Sequence, residues 1–143
     1  MEQHSAKPKV FISHSSPDTW IGKQIAGHVQ QCGADTFLDN ADIHHGDDFE
    51  QKILEAADQC TELVVLLTPW STSRPYIWLE IGAFWVKRQR IVGLLLGIDA
   101  KSLSSDERIP VALKRLDLLD LNDVESYFSQ LTERVTEWNR ENG

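Results

Sequence analysis

The segment of residues 63–86 constrains the fold of this chain more than any other. It opens with five consecutive apolar residues, breaks at Thr68-Pro69, crosses a polar loop and continues from Pro75 as a helix that is apolar on nearly every side. A short apolar run bounded by turn residues is typical of a strand buried on both faces. The segment therefore predicts a buried strand and a buried helix joined as one unit of a parallel sheet.

One carboxylate, Glu80, lies in the middle of that helix. The residues around it in sequence are mostly large and apolar: Ile77, Trp78, Leu79, Ile81, Phe84 and Trp85. Burying even a neutral polar group costs roughly 2–7 kcal/mol unless it is hydrogen-bonded. An acid in such surroundings indicates either a chemical task or a salt bridge to a neighbour such as Arg74, Lys87 or Arg88.

The rest of the chain repeats the alternation of strands and helices. Strands are expected at residues 9–13, 36–38, 63–67, 91–96 and 116–119, with helices between them and a long amphipathic helix at the end. This alternation predicts an α/β fold whose parallel sheet has helices on both faces. Five strands suggest the flavodoxin-like order 2-1-3-4-5. We expect the last strand at an edge and an irregular connection over residues 97–110.

The first helix is predicted from its end signals and its spacing. Ser16 is a good N-cap, and Pro17 suits the first helical position. Trp20, Ile21, Ile25 and Val29 recur near a period of 3.6, and Gly33 is a suitable stop. These residues predict a helix with one buried stripe.

Length and charge restrict the classes of function. The chain has 143 residues, so we expect one domain over residues 9–143, preceded by a flexible tail over residues 1–8. The formal net charge is −8, whereas binding to nucleic acid or to an anionic membrane surface requires a basic face. Neither partner is expected.

The cysteines and the N-terminal residues bear on location. Cys32 and Cys60 form no CxxC pair, which is typical of free thiols in a reducing compartment. The first ten residues lack the apolar core of a signal peptide, and no apolar run approaches the roughly 18–20 residues that span a bilayer. A cytoplasmic protein is therefore expected.

Ligands of this fold bind outside the carboxyl ends of the strands. The sequences at those ends are Ser13-His14-Ser15, residues 39–46 and residues 68–73, and the helix that carries Glu80 begins at the same rim. The expected site therefore brings together polar side chains from three loops and one buried acid.

Three motifs in this order resemble those of a Toll/interleukin-1 receptor (TIR) domain of the bacterial kind. They are KVFISHSS, FLDNADIHHGDDF and the SxxYxxxE spacing of Ser73, Tyr76 and Glu80. The resemblance covers residues 9–139 and implies the flavodoxin-like fold. Members of the family are either non-catalytic adaptors or enzymes that cleave NAD at the nicotinamide–ribose bond, releasing ADP-ribose or cyclising it. In bacteria such enzymes commonly serve antiphage defence.

The resemblance also implies roles for individual residues. Glu80 stands where the enzymes have their catalytic glutamate, and Tyr76 stands where many members have tryptophan. Residues 42–49 correspond to a loop that controls access to the pocket and joins subunits, and His44-His45 replace the proline or basic residue common there. The residues expected to contact the substrate are Ser13, His14, Ser15, Asp39, His45, Ser73 and Tyr76. NAD is then a substrate, and neither a cofactor nor a metal is expected.

The chemistry of NAD suits a single carboxylate. Glycoside hydrolysis usually requires a second carboxyl group to protonate the leaving oxygen, but nicotinamide leaves a pyridinium as a neutral molecule. One carboxylate, Glu80, can stabilise the sugar cation, and Tyr76 lies one turn earlier on the same helix face. Water or an atom of the substrate can then attack.

Other interpretations remain open. Glu80 can form a surface ion pair, and Tyr76, Trp78 and Trp85 can be core or interface residues. The pair His44-His45 indicates a metal only weakly, because no third ligand is evident. The competing functions are a non-catalytic module for homotypic interaction and a nucleoside deoxyribosyltransferase that uses its glutamate as a nucleophile. The nine apolar residues among the eleven of 76–86 further suggest that part of this helix contacts a second subunit.

Overall fold

The computed structural model describes residues 6–40, 49–106 and 116–143. These residues build a sheet of five parallel strands in the order β2-β1-β3-β4-β5. The strands are β1 (Lys9–His14), β2 (Asp35–Asn40), β3 (Glu62–Leu67), β4 (Arg90–Leu95) and β5 (Asp117–Asp120). The predicted fold, its strand order and the edge position of β5 are confirmed.

Helices cover both faces of this sheet. They are α1 (Thr19–Gln31), α2 (Phe49–Gln59), α3 (Pro75–Val86), the short α4 (Ala100–Ser105) and α5 (Val124–Asn142). Buried residues of α2, α3 and α4 form one hydrophobic cluster with the sheet, and those of α1 and α5 form the other. In the described ranges the structure therefore has three layers, with α1 and α5 on one face of the sheet and α2, α3 and α4 on the other.

Successive side chains of β1 alternate between the two helix layers. Phe11 of β1 packs in the cluster of α2 and α3, whereas Val10 and Ile12 pack in that of α1 and α5. Successive side chains of a strand point to opposite faces. Ser13 therefore continues the row that faces α3, and His14 continues the row that faces α1.

Two local predictions are wrong. Residues 100–105 of the connection expected to be irregular form α4, because Asp99 caps the helix by accepting the Ser102 N–H at 2.6 Å and Leu103 is buried. Trp20, one of the apolar residues assigned to the helical spacing of α1, is 71% exposed. A short 3-10 turn over Ser16–Asp18 precedes α1. The helix therefore begins at Thr19, later than the start that Ser16 as N-cap predicts.

A second buried carboxylate lies at the opposite end of the sheet from the expected site. Glu62, the first residue of β3, is 1% exposed. It accepts the Tyr127 hydroxyl at 2.6 Å and both arms of the Arg134 guanidinium from α5. Burial and the charge of Glu62 raise the pKa of Tyr127 far above its usual range. The Glu62 cluster (Glu62, Tyr127 and Arg134) therefore fixes α5 to the amino end of β3.

The chain contacts the sheet before β1 begins. Pro8 is buried, and its carbonyl accepts the Asp35 N–H at 3.0 Å. The first five residues of the predicted tail lie outside the described residues. Within the described ranges, no helix combines the length and apolar character that crossing a membrane requires.

The two thiols are expected to react at different rates. Cys60 is buried and Cys32 partly exposed. Burial, partly offset by the charge of Lys9, raises the pKa of Cys60 to about 11, so only about one thiol in a thousand is ionised at pH 8. A disulfide reagent at pH 8 will modify Cys32 in native protein and leave Cys60 unmodified. Equal rates for the two thiols, measured with the variants Cys32→Ser and Cys60→Ser, would contradict this expectation.

Candidate active site

Glu80 is buried at the carboxyl end of β1. Its side chain is 1% exposed, and its Oε1 accepts a hydrogen bond of 2.8 Å from the Ser13 hydroxyl. Ser13 is itself fully buried at the tip of β1. A strand residue and a helix residue that are 67 positions apart in sequence thus meet at the rim where ligands of this fold bind.

Local sequence explains why α3 presents Glu80 inward. Arg74 is extended and precedes Pro75 at the first helical position, where a missing N–H costs nothing. The buried side chains of the helix then follow helical spacing: Tyr76, Ile77, Glu80, Ile81 and Phe84. Glu80 occupies a core position on this face, and its bond to Ser13 satisfies part of its demand for hydrogen-bond donors.

His14 lies on the other face of the sheet from Glu80. Its Nδ1 is 2.8 Å from the Ser15 carbonyl, which can only accept, so Nδ1 carries a proton. A Cβ at Gly22 would lie 2.7 Å from the His14 ring, which shows how closely the imidazole packs on α1. The neighbouring Ser15 donates its hydroxyl to Asp18 at 2.5 Å. The structure therefore places His14 and Ser13 on opposite faces of the sheet.

The remaining residues predicted to contact the substrate lie in different environments. Tyr76 is 9% exposed and packs in the cluster of α2 and α3. Ser73 is exposed, and its hydroxyl donates to the Trp70 carbonyl at 2.9 Å. The backbone of Asp39 pairs in register with Ser13 across β1 and β2. His45 lies outside the described residues. Of the predicted set, Ser13 donates a hydrogen bond to Glu80.

Three further residues at the rim were not among the predicted substrate contacts, although residues 68–73 were expected at this edge: Asp18, Thr68 and Ser71. All three are buried. The Asp18 carboxylate accepts the Thr68 hydroxyl at 2.7 Å, and Thr68 exchanges hydrogen bonds with Ser71 across a tight turn. The Thr68-Pro-Trp-Ser71 spacing indicates such a turn. No local signal, however, indicates a partner 50 residues away.

The described residues offer no group of three or more His, Cys, Asp or Glu side chains that could hold a metal ion. What the rim does offer is one carboxylate in an apolar setting with a hydroxyl donor at hydrogen-bond distance. Such an arrangement can stabilise positive charge on a ligand, because a carboxylate acts more strongly where water is excluded.

Comparison with known proteins identifies related chains. The model of the TIR domain family matches residues 10–135. A protein of Brachypodium distachyon named "Probable 2' cyclic ADP-D-ribose synthase BdTIR" is 27% identical over 127 residues. The match covers 87% of this chain and 55% of the plant protein. The chain thus spans about half the length of that relative.

Solved structures share the fold at lower identity. The TIR domain of the Toll-related receptor TRR-2 from Hydra magnipapillata has a TM-score of 0.61 at 16% identity, with coverage of 90% of this chain and 97% of that one. A TIR-STING receptor from C. gigas has a TM-score of 0.62 at 16% identity, with coverage of 86% and 38%. Both similarities concern the fold.

Proposed function

Because the chain belongs to the TIR domain family, we propose that it cleaves NAD at the nicotinamide–ribose bond, with Glu80 as its catalytic residue. The supporting observation is the buried Glu80 carboxylate, held by Ser13 at the carboxyl rim of the sheet. The name of the plant relative, a probable cyclic ADP-ribose synthase, is consistent with this reaction.

The reaction needs one carboxylate and no general acid. The bond between the ribose C1′ and the pyridinium nitrogen breaks, and its electron pair remains on nitrogen, so that nicotinamide leaves neutral. The Glu80 carboxylate stabilises the positive charge that develops on the sugar. Ser13 donates to Oε1 and fixes the orientation of the carboxylate. Water then adds to C1′ and loses a proton to give ADP-ribose, or a hydroxyl or nitrogen of the substrate attacks and gives a cyclic product.

Access to Glu80 suggests that activity is regulated. The side chain is 1% exposed, so a substrate as large as NAD reaches it only after the rim rearranges. We propose that self-assembly favours the open arrangement, since binding of a second copy to one conformation shifts the equilibrium toward it. Loss of NAD, or a cyclic ADP-ribose product, would then serve bacterial antiphage defence or signalling.

The outer face of α3 is where a second copy would bind. It forms an open apolar groove with α2, of about 520 Å³, and its lining is uncharged: Ile53, Leu54, Trp78, Leu79, Gly82, Ala83, Trp85 and Val86. Trp85 is 51% and Val86 74% exposed. Two copies that each carry a net charge of −8 repel least where an uncharged face meets another. The groove also lies on the helix that carries Glu80.

Replacing Trp85 by serine is expected to weaken self-association at least about tenfold, because a large aromatic side chain at an interface typically contributes more than any neighbour. Sedimentation velocity over a range of protein concentrations measures the effect. Trp20→Ser is the matched control, since Trp20 is 71% exposed but lies on α1. Equal losses in the two variants, or none in Trp85→Ser, would exclude this groove as the site of assembly.

A non-catalytic interaction module is the second candidate. The same apolar groove favours it, and burial of Glu80 against Ser13 is compatible with a structural role. The two functions predict different results when concentrated protein is incubated with NAD and the products are separated by chromatography. The enzyme releases one nicotinamide for each NAD consumed. The scaffold self-associates and leaves NAD intact at every concentration.

A further inference from the structure

Asp18 is a buried carboxylate to which the proposed reaction assigns no task. It is 3% exposed. Its Oδ2 accepts two hydroxyls, from Ser15 at 2.5 Å and from Thr68 at 2.7 Å. Ser15 follows β1, and Thr68 follows β3. A single oxygen atom therefore joins the loops that follow two adjacent strands.

The usual use of an aspartate at this position is absent. Asp18 is the N-cap of α1, where an acidic side chain typically accepts a helix amide. Among the described residues, however, the carboxylate caps no amide of α1. Its hydrogen bonds are made instead with Ser15, three residues earlier, and with Thr68, 50 positions away. Asp18 therefore organises the rim rather than the end of its own helix.

From Thr68 the connections continue to the helix that carries Glu80. The Thr68 N–H donates to the Ser71 hydroxyl at 2.8 Å, and the Ser71 N–H donates to the Thr68 hydroxyl oxygen at 3.1 Å. The Ser71 carbonyl accepts the N–H of Arg74, the residue that precedes α3, at 3.0 Å. The Thr68 hydroxyl thus accepts from Ser71 through its oxygen and donates its proton to Asp18.

We propose that Asp18 is a positioning residue that holds the loop after β1 against the loop after β3. It thereby sets the contact between Ser13 and Glu80. This inference deepens the proposed NAD cleavage and rests on it for its catalytic consequence. Ser13 lies two residues before Ser15, and α3 begins four residues after Ser71, so a shift between the two loops alters the orientation of the carboxylate.

Two substitution pairs test the role. Asp18→Ala removes the shared acceptor, whereas Asp18→Asn keeps one oxygen where the two hydroxyls converge. Thr68→Val removes one hydroxyl at nearly equal volume, and Thr68→Ser restores it. We expect Asp18→Ala and Thr68→Val to lower kcat about tenfold or more with a smaller change in KM, because misplacing a reacting group slows the chemical step. The Asn and Ser variants recover part of that loss.

Asp123→Ala is the matched control. Asp123 is also an N-cap at the end of a 3-10 turn, and in the described structure its side chain caps no amide of α5, but it is exposed. Its replacement will leave kcat unchanged. If Asp18→Ala loses only stability, with the kcat of the folded fraction equal to that of wild type, Asp18 is merely structural and the inference is overturned.

A second measurement separates this inference from the proposed function. The carboxyl ¹³C resonance of Glu80, assigned with the variant Glu80→Gln, reports its hydrogen bond whether or not NAD is consumed. We expect it to shift in Asp18→Ala and to stay in place in Asp123→Ala. If wild type leaves NAD intact while the resonance shifts, the proposed function fails and the positioning role stands. An unmoved resonance overturns the positioning role.

Discussion

Replacing Glu80 by glutamine will lower kcat for nicotinamide release by about 10²–10³-fold, the usual effect of removing one group that stabilises transition-state charge. Glutamine has nearly the same shape and still offers Ser13 an oxygen acceptor, so the geometry of the rim is retained. What is lost is the negative charge that stabilises the sugar cation. Chromatography of nicotinamide and of linear and cyclic ADP-ribose measures both rate and product.

The control for this substitution is Glu55→Gln, which neutralises an exposed glutamate on α2. Its turnover is expected to match that of wild type. Urea unfolding of both variants verifies that the folded state is intact, because a buried charge that becomes neutral can change stability in either direction. Wild-type turnover in Glu80→Gln would remove Glu80 as the catalytic residue.

Replacing Arg134 by leucine will lower the free energy of unfolding by about 3 kcal/mol or more, since removing one partner of a buried ion pair leaves an uncompensated charge. The charge left behind is that of Glu62, which is 1% exposed. Burial alone would lower the pKa of Arg134, but its hydrogen bonds to Glu62 hold that pKa above its usual value. The folded state therefore favours the charged pair. Urea unfolding followed by circular dichroism measures the loss.

Arg140→Leu makes the same change at an exposed position of α5 and will alter stability by less than about 0.5 kcal/mol. Arg134→Lys should fall between the two, because an ammonium keeps the charge but not the paired geometry of the guanidinium. If Arg134→Leu is as stable as Arg140→Leu, the Glu62 cluster does not support the fold as described.

The strongly patterned parts of the fold could be predicted from the sequence. The apolar runs of the central strands and the start of α3 at Pro75 depend on local burial and on end signals, which a sequence displays directly. Helix α4 could not be found in this way, because it has six residues and only Leu103 is buried. The cap formed by Asp99 and Ser102 was its one local signal.

Trp20 shows why an apolar side chain on a helix need not share its buried face. The buried residues of α1 are Gly22, Ile25, Ala26 and Val29. At about 100° per residue, Trp20 lies on the opposite side of the helix from this stripe, and its ring is exposed. An apolar residue close in sequence to a stripe is therefore part of it only when its angle around the helix also matches.

The candidate site was predictable only in part. Glu80 stands out because a single acid interrupts an apolar helix, and the end of β1 places Ser13 at the rim. Asp18 does not stand out, since an aspartate beside the start of a helix usually serves as its cap. Glu62 likewise looks like the polar first residue of a strand. Asp18 has one partner 50 residues away, and the Tyr127 partner of Glu62 lies 65 residues away. Sequence spacing gives no information about contacts at such separations.

The two ends of strand β3 have separate roles. Glu62 at its beginning anchors α5, and the loop beginning at Thr68 leads to the helix that bears Glu80. Five residues of extended chain place these ends about 17 Å apart, beyond the range at which substitutions usually couple. Substitutions at the rim are therefore expected to leave the stability that the Glu62 cluster contributes unchanged. Substitutions in that cluster are likewise expected to leave the contact between Ser13 and Glu80 in place.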